Sequence, residues 1–413
     1  MVERIRHGWW YHNNCSVSQN WPQKTDGKHE KIIISNNLKW NVILKNNEKR
    51  ISDDKLPNLD ILVAARDEEN VIERLVERLF NLDYPTNKLN IYIIDDGSSD
   101  KTPLILERLS KEFDKLKIIS RSANAGGGKS GALNYALKFT HGEWLLILDA
   151  DAQLKIDTLS RLFSFVYEGS WSAVQLRKSV INVSKNFLTT CQSMEMAMDA
   201  IFQYGRLSVA GVSELRGNGQ LINKEVLLKC GSFNEHTVTD DLDLSLRLLL
   251  SNAKIGILWD PPVMEEAVEN ISALFSQRQR WAEGGLQRFF DYGEQLFSKK
   301  IELIQKFDLN FFFILQYALP VISMIDLILS IALVESPSYW PISITAFTLS
   351  GIAVWYGSSC KSEGPVLQNL NLMMMLVSLL YLSHWFLVIP WVTIKMSIFP
   401  KKILWKKTLH TGI

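Results

Sequence analysis

The sequence is short of the residues that staple small domains or hold soft metals. Its four cysteines, Cys15, Cys191, Cys230 and Cys360, show no Cys-x-x-Cys spacing, and its seven histidines form no cluster. A disulfide framework and a zinc site are therefore not expected, and a reducing compartment is the default. Net charge is almost absent: 45 lysines and arginines face 44 acids, so bulk charge gives no argument for nucleic acid as a partner. The first residues have no apolar core flanked by positive charge, so no secretory signal is expected. No internal repeat is visible.

What is present is unevenly placed. Residues 1–56 are polar with scattered tryptophans, 57–300 look globular, and 301–413 carry long apolar runs, which predicts three segments with those bounds. Trp9, Trp10, Trp21 and Trp40 are expected either at a lipid interface or packed on the globular part.

From residue 57 short apolar runs alternate with helical periodicity. "LDILVAA" (59–65), "LNIYIIDD" (89–96), "LKIIS" (116–120) and "EWLLILDAD" (143–151) read as strands. Between them, Val71, Ile72, Leu75, Val76, Leu79 and Phe80 fall on one helical stripe, and 102–113 and 130–139 also read as helices. Continuous rather than alternating hydrophobicity in the strands predicts an α/β fold with a doubly wound, mostly parallel sheet. Ligands in such sheets bind at the carboxyl ends of the strands, where both acid pairs of this stretch fall.

Three apolar stretches, roughly 309–334, 340–357 and 370–394, are each about long enough to cross a ~30 Å hydrocarbon core. Lys299, Lys300 and Lys306 precede them, and Lys401, Lys402, Lys406 and Lys407 follow. The positive-inside rule puts both flanks in the cytoplasm, whereas three full crossings would separate them. One stretch is thus expected to be interfacial or re-entrant, and the one split by Pro320 is the candidate. The same stretch holds Asp326, a costly residue at that depth unless it is paired.

Four motifs carry chemistry. "IIDDGSSD" (93–100) sets Asp95 and Asp96 at a strand end, and "LDADA" (148–152) repeats the device with Asp149 and Asp151. Two carboxylates closing a buried strand suit one hard cation, because Mg²⁺ typically takes one or two carboxylates plus substrate phosphates. "GGGKSGALN" (126–134) lacks the glycine at 123 that a P-loop needs, since Ala123 stands there. A glycine-rich turn opening a helix beside Lys129 still suits a diphosphate. "VTDDLDLSLRLLL" (238–250) places Asp240 and Asp241 at a helix start, as N-caps or as a base facing the site. "QRQRW" (277–281) supplies Gln277, Arg280 and Trp281 just ahead of the apolar tail.

In this order and at these intervals, the four motifs resemble the family 2 glycosyltransferases, and QxxRW before apolar helices resembles their membrane-associated branch. "ARDEENVI", "AVQLRK", "ELRGNGQ" and "QRQRWAEGGLQRFFDY" are most similar to the cyanobacterial β-monoglucosyldiacylglycerol synthases of that family. Two departures stand out: residues 1–56 hold no hydrophobic segment, and Arg66 replaces an aromatic residue common at the nucleotide site. The resemblance implies a nucleotide-sugar A-type fold followed by transmembrane helices. It implies inverting transfer of glucose from UDP-glucose to diacylglycerol, by a multi-pass membrane protein whose catalytic domain faces the cytoplasm.

Residue by residue, the resemblance makes Asp241 the catalytic base. It gives Ala65, Glu68, Asp95, Asp96, Lys129 and Asp149 to the donor. It sets Asp240, Gln277, Arg280 and Trp281 at the acceptor and diphosphate, and Asp149 and Asp151 on Mg²⁺ or Mn²⁺. The partners are then a UDP-sugar, a lipid acceptor and the bilayer, with no nucleic acid. A processive polysaccharide synthase and transfer to another lipid are the alternatives. Arg278 matches no fixed motif position and receives no role.

Overall fold

The computed structural model describes residues 51–365, 371–399 and 412. The four N-terminal tryptophans and the lysines at 401–407 lie outside the described residues.

The strand and helix pattern read from the sequence is present with nearly the expected bounds. β1 (Leu59–Ala65), α1 (Ile72–Phe80), β2 (Leu89–Asp95), α2 (Thr102–Glu112), β3 (Leu116–Ser120), α3 (Gly128–Ala136) and β4 (Trp144–Leu148) form the first half. α4 (Thr158–Gly169), β5 (Ala173–Val180), α5 (Phe187–Ala210), β6 (Gln220–Asn223), α6 (Lys224–Lys229), α7 (Asp240–Leu250), β7 (Ile255–Glu265) and α8 (Ile271–Asp291) complete it. The seven strands lie in the order β3-β2-β1-β4-β6-β5-β7.

All neighbours among β1 to β4 are parallel, as are β5 and β7, but β6 runs antiparallel to both β4 and β5. The sheet is therefore mixed rather than purely parallel. Strand β6 follows a turn in which Gly217 and Gly219 hold φ of 81° and 70°, a region that favours glycine. A Cβ on Gly219 would also lie 2.6 Å from Cγ1 of Val263, so the reversal is tied to that glycine.

Alternate residues of β1 face opposite sides of the sheet. Leu59, Ile61 and Val63 join the core with Ile72, Leu75, Val76 and Leu79 of α1, whereas Leu62 joins Ala132, Leu133, Leu244 and Leu248 of α3 and α7. Helices thus cover both faces, which is why the strands read as continuous apolar runs. Chain order reverses between β1 and β4, so the crevice at their carboxyl ends is the expected ligand position.

Among the described residues, two helices beyond α8 are long and apolar enough to cross a membrane: α9 (Leu303–Leu333, mean hydropathy 2.0) and α11 (Leu372–Ile398, mean hydropathy 2.1). The middle stretch forms α10 (Trp340–Ser359), packed on α5, where Gly357 lets the two backbones approach. Pro320 does not split the first stretch, contrary to expectation. A π-helical turn at Ile314–Ala318 lies just ahead of it, and the helix continues to Leu333. Proline lacks an N–H and crowds the carbonyl four residues back, and a widened turn accommodates both. Asp326 is not bare either: its carboxylate accepts from the backbone N–H groups of Ser338 (3.1 Å) and Tyr339 (2.9 Å), where the chain enters α10.

Candidate active site

At the end of β2, Asp95 accepts from the N–H of Ser98 at 3.0 Å and fixes the Gly-Ser turn. Asp96 meets Arg121 at 2.6 Å, and the same guanidinium donates to the carbonyl of Gly126 at 2.8 Å. Burial pushes the Asp96 carboxyl up, and Arg121 and Arg66 pull it back. Arg121 therefore ties the β2 acid pair to the glycine-rich loop. Ala65 lies beside Asp95 in the β1–β2 register and its carbonyl accepts from the N–H of Asp96 at 2.8 Å. Arg121 escaped the sequence reading because a lone arginine after a strand carries no signal.

The glycine-rich loop leads into α3 through Gly126, Gly127 and Gly128, all at positive φ. Lys129, in the first turn, places its amine 2.5 Å from Asp149 Oδ1 and 3.1 Å from the carbonyl of Gly217. Burial alone would lower the pKa of this amine, but Asp149, Asp240 and Asp241 outweigh it and raise it above its ordinary value. Lys129 is thus a fixed cation rather than a solvated loop residue. Asp149 is steadied through its N–H by Asn218 at 3.1 Å. Asp151 accepts from the N–H of Glu266 at 2.9 Å, which joins the end of β4 to the end of β7.

The Asp240–Asp241 pair opens α7. Thr239, the N-cap residue, makes no side-chain cap. Asp241 accepts from the N–H of Leu242 at 2.9 Å. Burial and then the neighbouring Asp240 push its carboxyl up to about 6, against the Leu242 N–H, Arg216 and Lys129. A carboxylate near neutral pKa is a better proton acceptor than an ordinary exposed one.

Along α8, the three motif residues line the same cavity as the acids. Burial lowers the pKa of Arg280, while Asp149, Asp241 and Asp240 act in the opposite sense. Arginine stays protonated under such shifts, so Arg280 is a second fixed cation. Arg278, left without a role by the sequence, is among the most enclosed side chains described. It meets Glu195 at 2.5 Å, Gln277 Oε1 at 2.6 Å and Tyr381 Oη at 3.2 Å, and stacks on Trp281 with 4.1 Å to the ring centroid.

A further cluster went unassigned, although "ELRGNGQ" contains two of its members, Glu214 and Arg216. Glu214 accepts from Arg206 (2.9 Å), Arg288 (3.0 Å) and Arg216 (3.0 Å), and Arg216 also pairs with Asp199 (2.7 Å). Burial would raise the Glu214 carboxyl, but the three guanidiniums hold it well below the usual range. The cluster braces α5 and α8 against the Gly217 turn.

These elements enclose a cavity of about 360 Å³. Glu68, Lys129, Asp149, Asp151, Asp240, Asp241, Gln277, Arg280 and Trp281 line it together. Ala65, Asp95 and Asp96 stand outside that lining, and Ala64 rather than Ala65 contributes to it. Among the described residues no three acid, histidine or cysteine side chains converge. Asp149 and Asp151 are the pair that would hold a divalent cation here, with substrate phosphates supplying the rest of its shell. That is the oxygen donor set Mg²⁺ commonly uses, so the residues fit.

Comparison with known proteins agrees with this geometry. Residues 60–229 match the family described as Glycosyl transferase family 2. The chain is 41% identical over 361 residues to a protein of Trichormus variabilis named beta-monoglucosyldiacylglycerol synthase, covering 86% of this chain and 77% of the relative. It is 40% identical over 359 residues to the protein of that name from Synechocystis, covering 86% and 75%. The fold is also that of the mannosyltransferase PcManGT from Pyrobaculum calidifontis, solved in complex with GDP-Man and Mn²⁺, with a TM-score of 0.56 at 18% identity over 86% of this chain and 91% of that one. The chain belongs to glycosyl transferase family 2.

Proposed function

We propose that this family 2 glycosyltransferase moves glucose from UDP-glucose to diacylglycerol and releases β-monoglucosyldiacylglycerol. One observation supports this reading beyond the relatives' names: a single cavity joins the acids at the strand ends to the wall of an apolar helix, through Phe312, Gln316 and Tyr317. A water-soluble donor and a bilayer-dissolved acceptor need such a meeting place.

In this reading Asp96 holds the uridine and Asp95 supports that turn, with Ala65 and Glu68 beside them. Asp149 and Asp151 hold Mg²⁺, with Mn²⁺ as the alternative, which when bound neutralises the diphosphate. Asp241 takes the proton of the acceptor hydroxyl as that oxygen attacks the anomeric carbon from the face opposite UDP. The carbon–oxygen bond to the β-phosphate breaks, and its electron pair leaves with UDP. Lys129 and Arg280 compensate the charge that develops there. Gln277 and Trp281 form the acceptor wall, and Asp240 faces the same side. A single displacement inverts the α-linked donor to a β-glucoside without a covalent intermediate.

The chain divides, in this reading, into an N-terminal segment 1–56, a catalytic domain 57–300 and a membrane region 301–413. Lysines flank the apolar segments on both sides, at 299–306 and 401–407, which supports a catalytic domain facing the cytoplasm. Incubating membranes with labelled UDP-sugars and identifying the product by mass spectrometry tests the reading. A glucosylated diacylglycerol is expected; a water-soluble polymer, or transfer to another lipid class, overturns it.

A further inference from the structure

The cavity reaches past the acids. Its far wall is built by Met196, Met198 and Ala200 of α5 and by Phe312, Gln316 and Tyr317 of α9. Gln316 is the polar member of this group, and it lies in the π-helical turn Ile314–Ala318. A single π turn inside a long α-helix is rare and recurs at functional sites.

The turn is seated against the catalytic helix start by two adjacent glycines of α8. A Cβ on Gly284 would lie 2.1 Å from Thr239 Oγ1, and one on Gly285 would lie 1.9 Å from Tyr317 Oη. Thr239 and Tyr317 thus both pack on α8, and their neighbours Asp240, Asp241 and Gln316 line the one cavity.

The polar groups of that space are unevenly satisfied. Lys129, Arg177, Lys178, Arg216, Arg278 and Arg288, which line the cavity, each lie within salt-bridge distance of a carboxylate. By contrast Thr239 Oγ1, Asp240 Oδ2 and Gln316 Oε1 are buried without a hydrogen-bond partner. Native interiors rarely leave such oxygens unmatched, and a cluster of them calls for a ligand that donates. An uncharged lipid brings a hydroxyl that donates. The oxygens of a phosphate-bearing head offer Asp240 Oδ2 and Gln316 Oε1 no hydrogen to accept.

We propose that Gln316 is a specificity-determining residue for the acceptor: its side-chain amide receives the hydroxyl of an uncharged glycerolipid head as the lipid arrives. Asp241 then takes that proton. The proposal rests on the glycolipid reading and adds the residue that selects the head.

The test uses the full-length enzyme in mixed micelles and three readouts: the KM for diacylglycerol, the KM for UDP-glucose, and lipid-independent release of UDP by hydrolysis. Gln316→Leu should raise the acceptor KM about 5- to 10-fold, the loss expected for one neutral hydrogen bond, and leave the other two unchanged. Gln316→Lys should raise turnover on phosphatidylglycerol relative to diacylglycerol at least about 5-fold, by supplying an unpaired cation. An unchanged acceptor KM in Gln316→Leu, or a donor KM that rises in step with it, overturns the proposal. So does a head-group preference that Gln316→Lys leaves as it was. Wild-type enzyme that glucosylates neither lipid removes the glycolipid reading instead, whatever the variants do.

Discussion

Arg278 Nη2 lies 2.5 Å from Glu195 Oε2, with both side chains buried, and the pair joins α8 to α5. The same carboxylate accepts from Tyr381 Oη at 2.8 Å, and its other oxygen from Trp385 Nε1 at 2.8 Å, both on α11. The helix carrying QxxRW is therefore braced to an apolar helix through one ion pair. Removing one partner of such a pair leaves the other charge buried, at a cost of about 3–5 kcal/mol. Arg278→Met should lower the thermal unfolding midpoint sharply. Glu195→Gln with Arg278→Met should recover much of the loss, because neither charge is then stranded. A single variant as stable as wild type would show that the pair does not brace the helix.

Asp241→Asn is expected to lower turnover by ~10²–10⁴-fold, the usual worth of a positioned base. UDP binding, measured by calorimetry, should stay near normal because the residue acts on the acceptor side. Turnover above a tenth of wild type excludes Asp241 as the base.

The raised carboxyl of Asp241 also fixes a pH dependence. A base works only when ionised, and burial with Asp240 moves its titration up to about 6, against Arg216, Lys129 and the Leu242 N–H. Activity should therefore fall with unit slope as pH drops through about 6 and level off above it. The residual activity of Asp241→Asn should lack this limb. A profile flat from pH 7 to pH 5 contradicts the assignment.

Chelation supplies a fourth expectation. Because two carboxylates alone make a weak, incomplete ligand set, the cation should bind mainly with the donor and be stripped easily by EDTA. Activity should vanish in excess chelator and return with Mg²⁺ or Mn²⁺. Full activity in EDTA would leave Lys129 and Arg280 as the only charges acting on the diphosphate.

The first four strands and the acids at their ends were legible because apolar runs and Gly-Ser turns are local signals. Strand β6 was not, since its four residues follow a glycine turn whose reversal depends on contact with Val263 far along the chain. Gln277, Arg280 and Trp281 stood out through their resemblance to the QxxRW motif, and all three line the cavity. Arg278 and Glu214 were passed over for a shared reason. Each takes its meaning from partners 83 and 74 residues away, Glu195 and Arg288, and no window of sequence shows that. Gln316 lies inside an apolar run where no local signal marks it; the π turn and the cavity single it out.

Gly285 gives the last prediction. In an open helix, replacing glycine by alanine gains about 1 kcal/mol. Here the added Cβ would lie 1.9 Å from Tyr317 Oη, and Tyr317 is itself buried against Phe289 and Phe313. Overpacking of this kind costs about 1–3 kcal/mol, so the net effect of Gly285→Ala should be a loss of stability. The nearest clash is with the hydroxyl, while Cζ at 2.8 Å stays, so adding Tyr317→Phe should restore part of what Gly285→Ala removes. The two changes should then couple in a double-mutant cycle of unfolding free energies. Additive effects, or a Gly285→Ala protein as stable as wild type, would show that the apolar helix is not seated on the glycine pair.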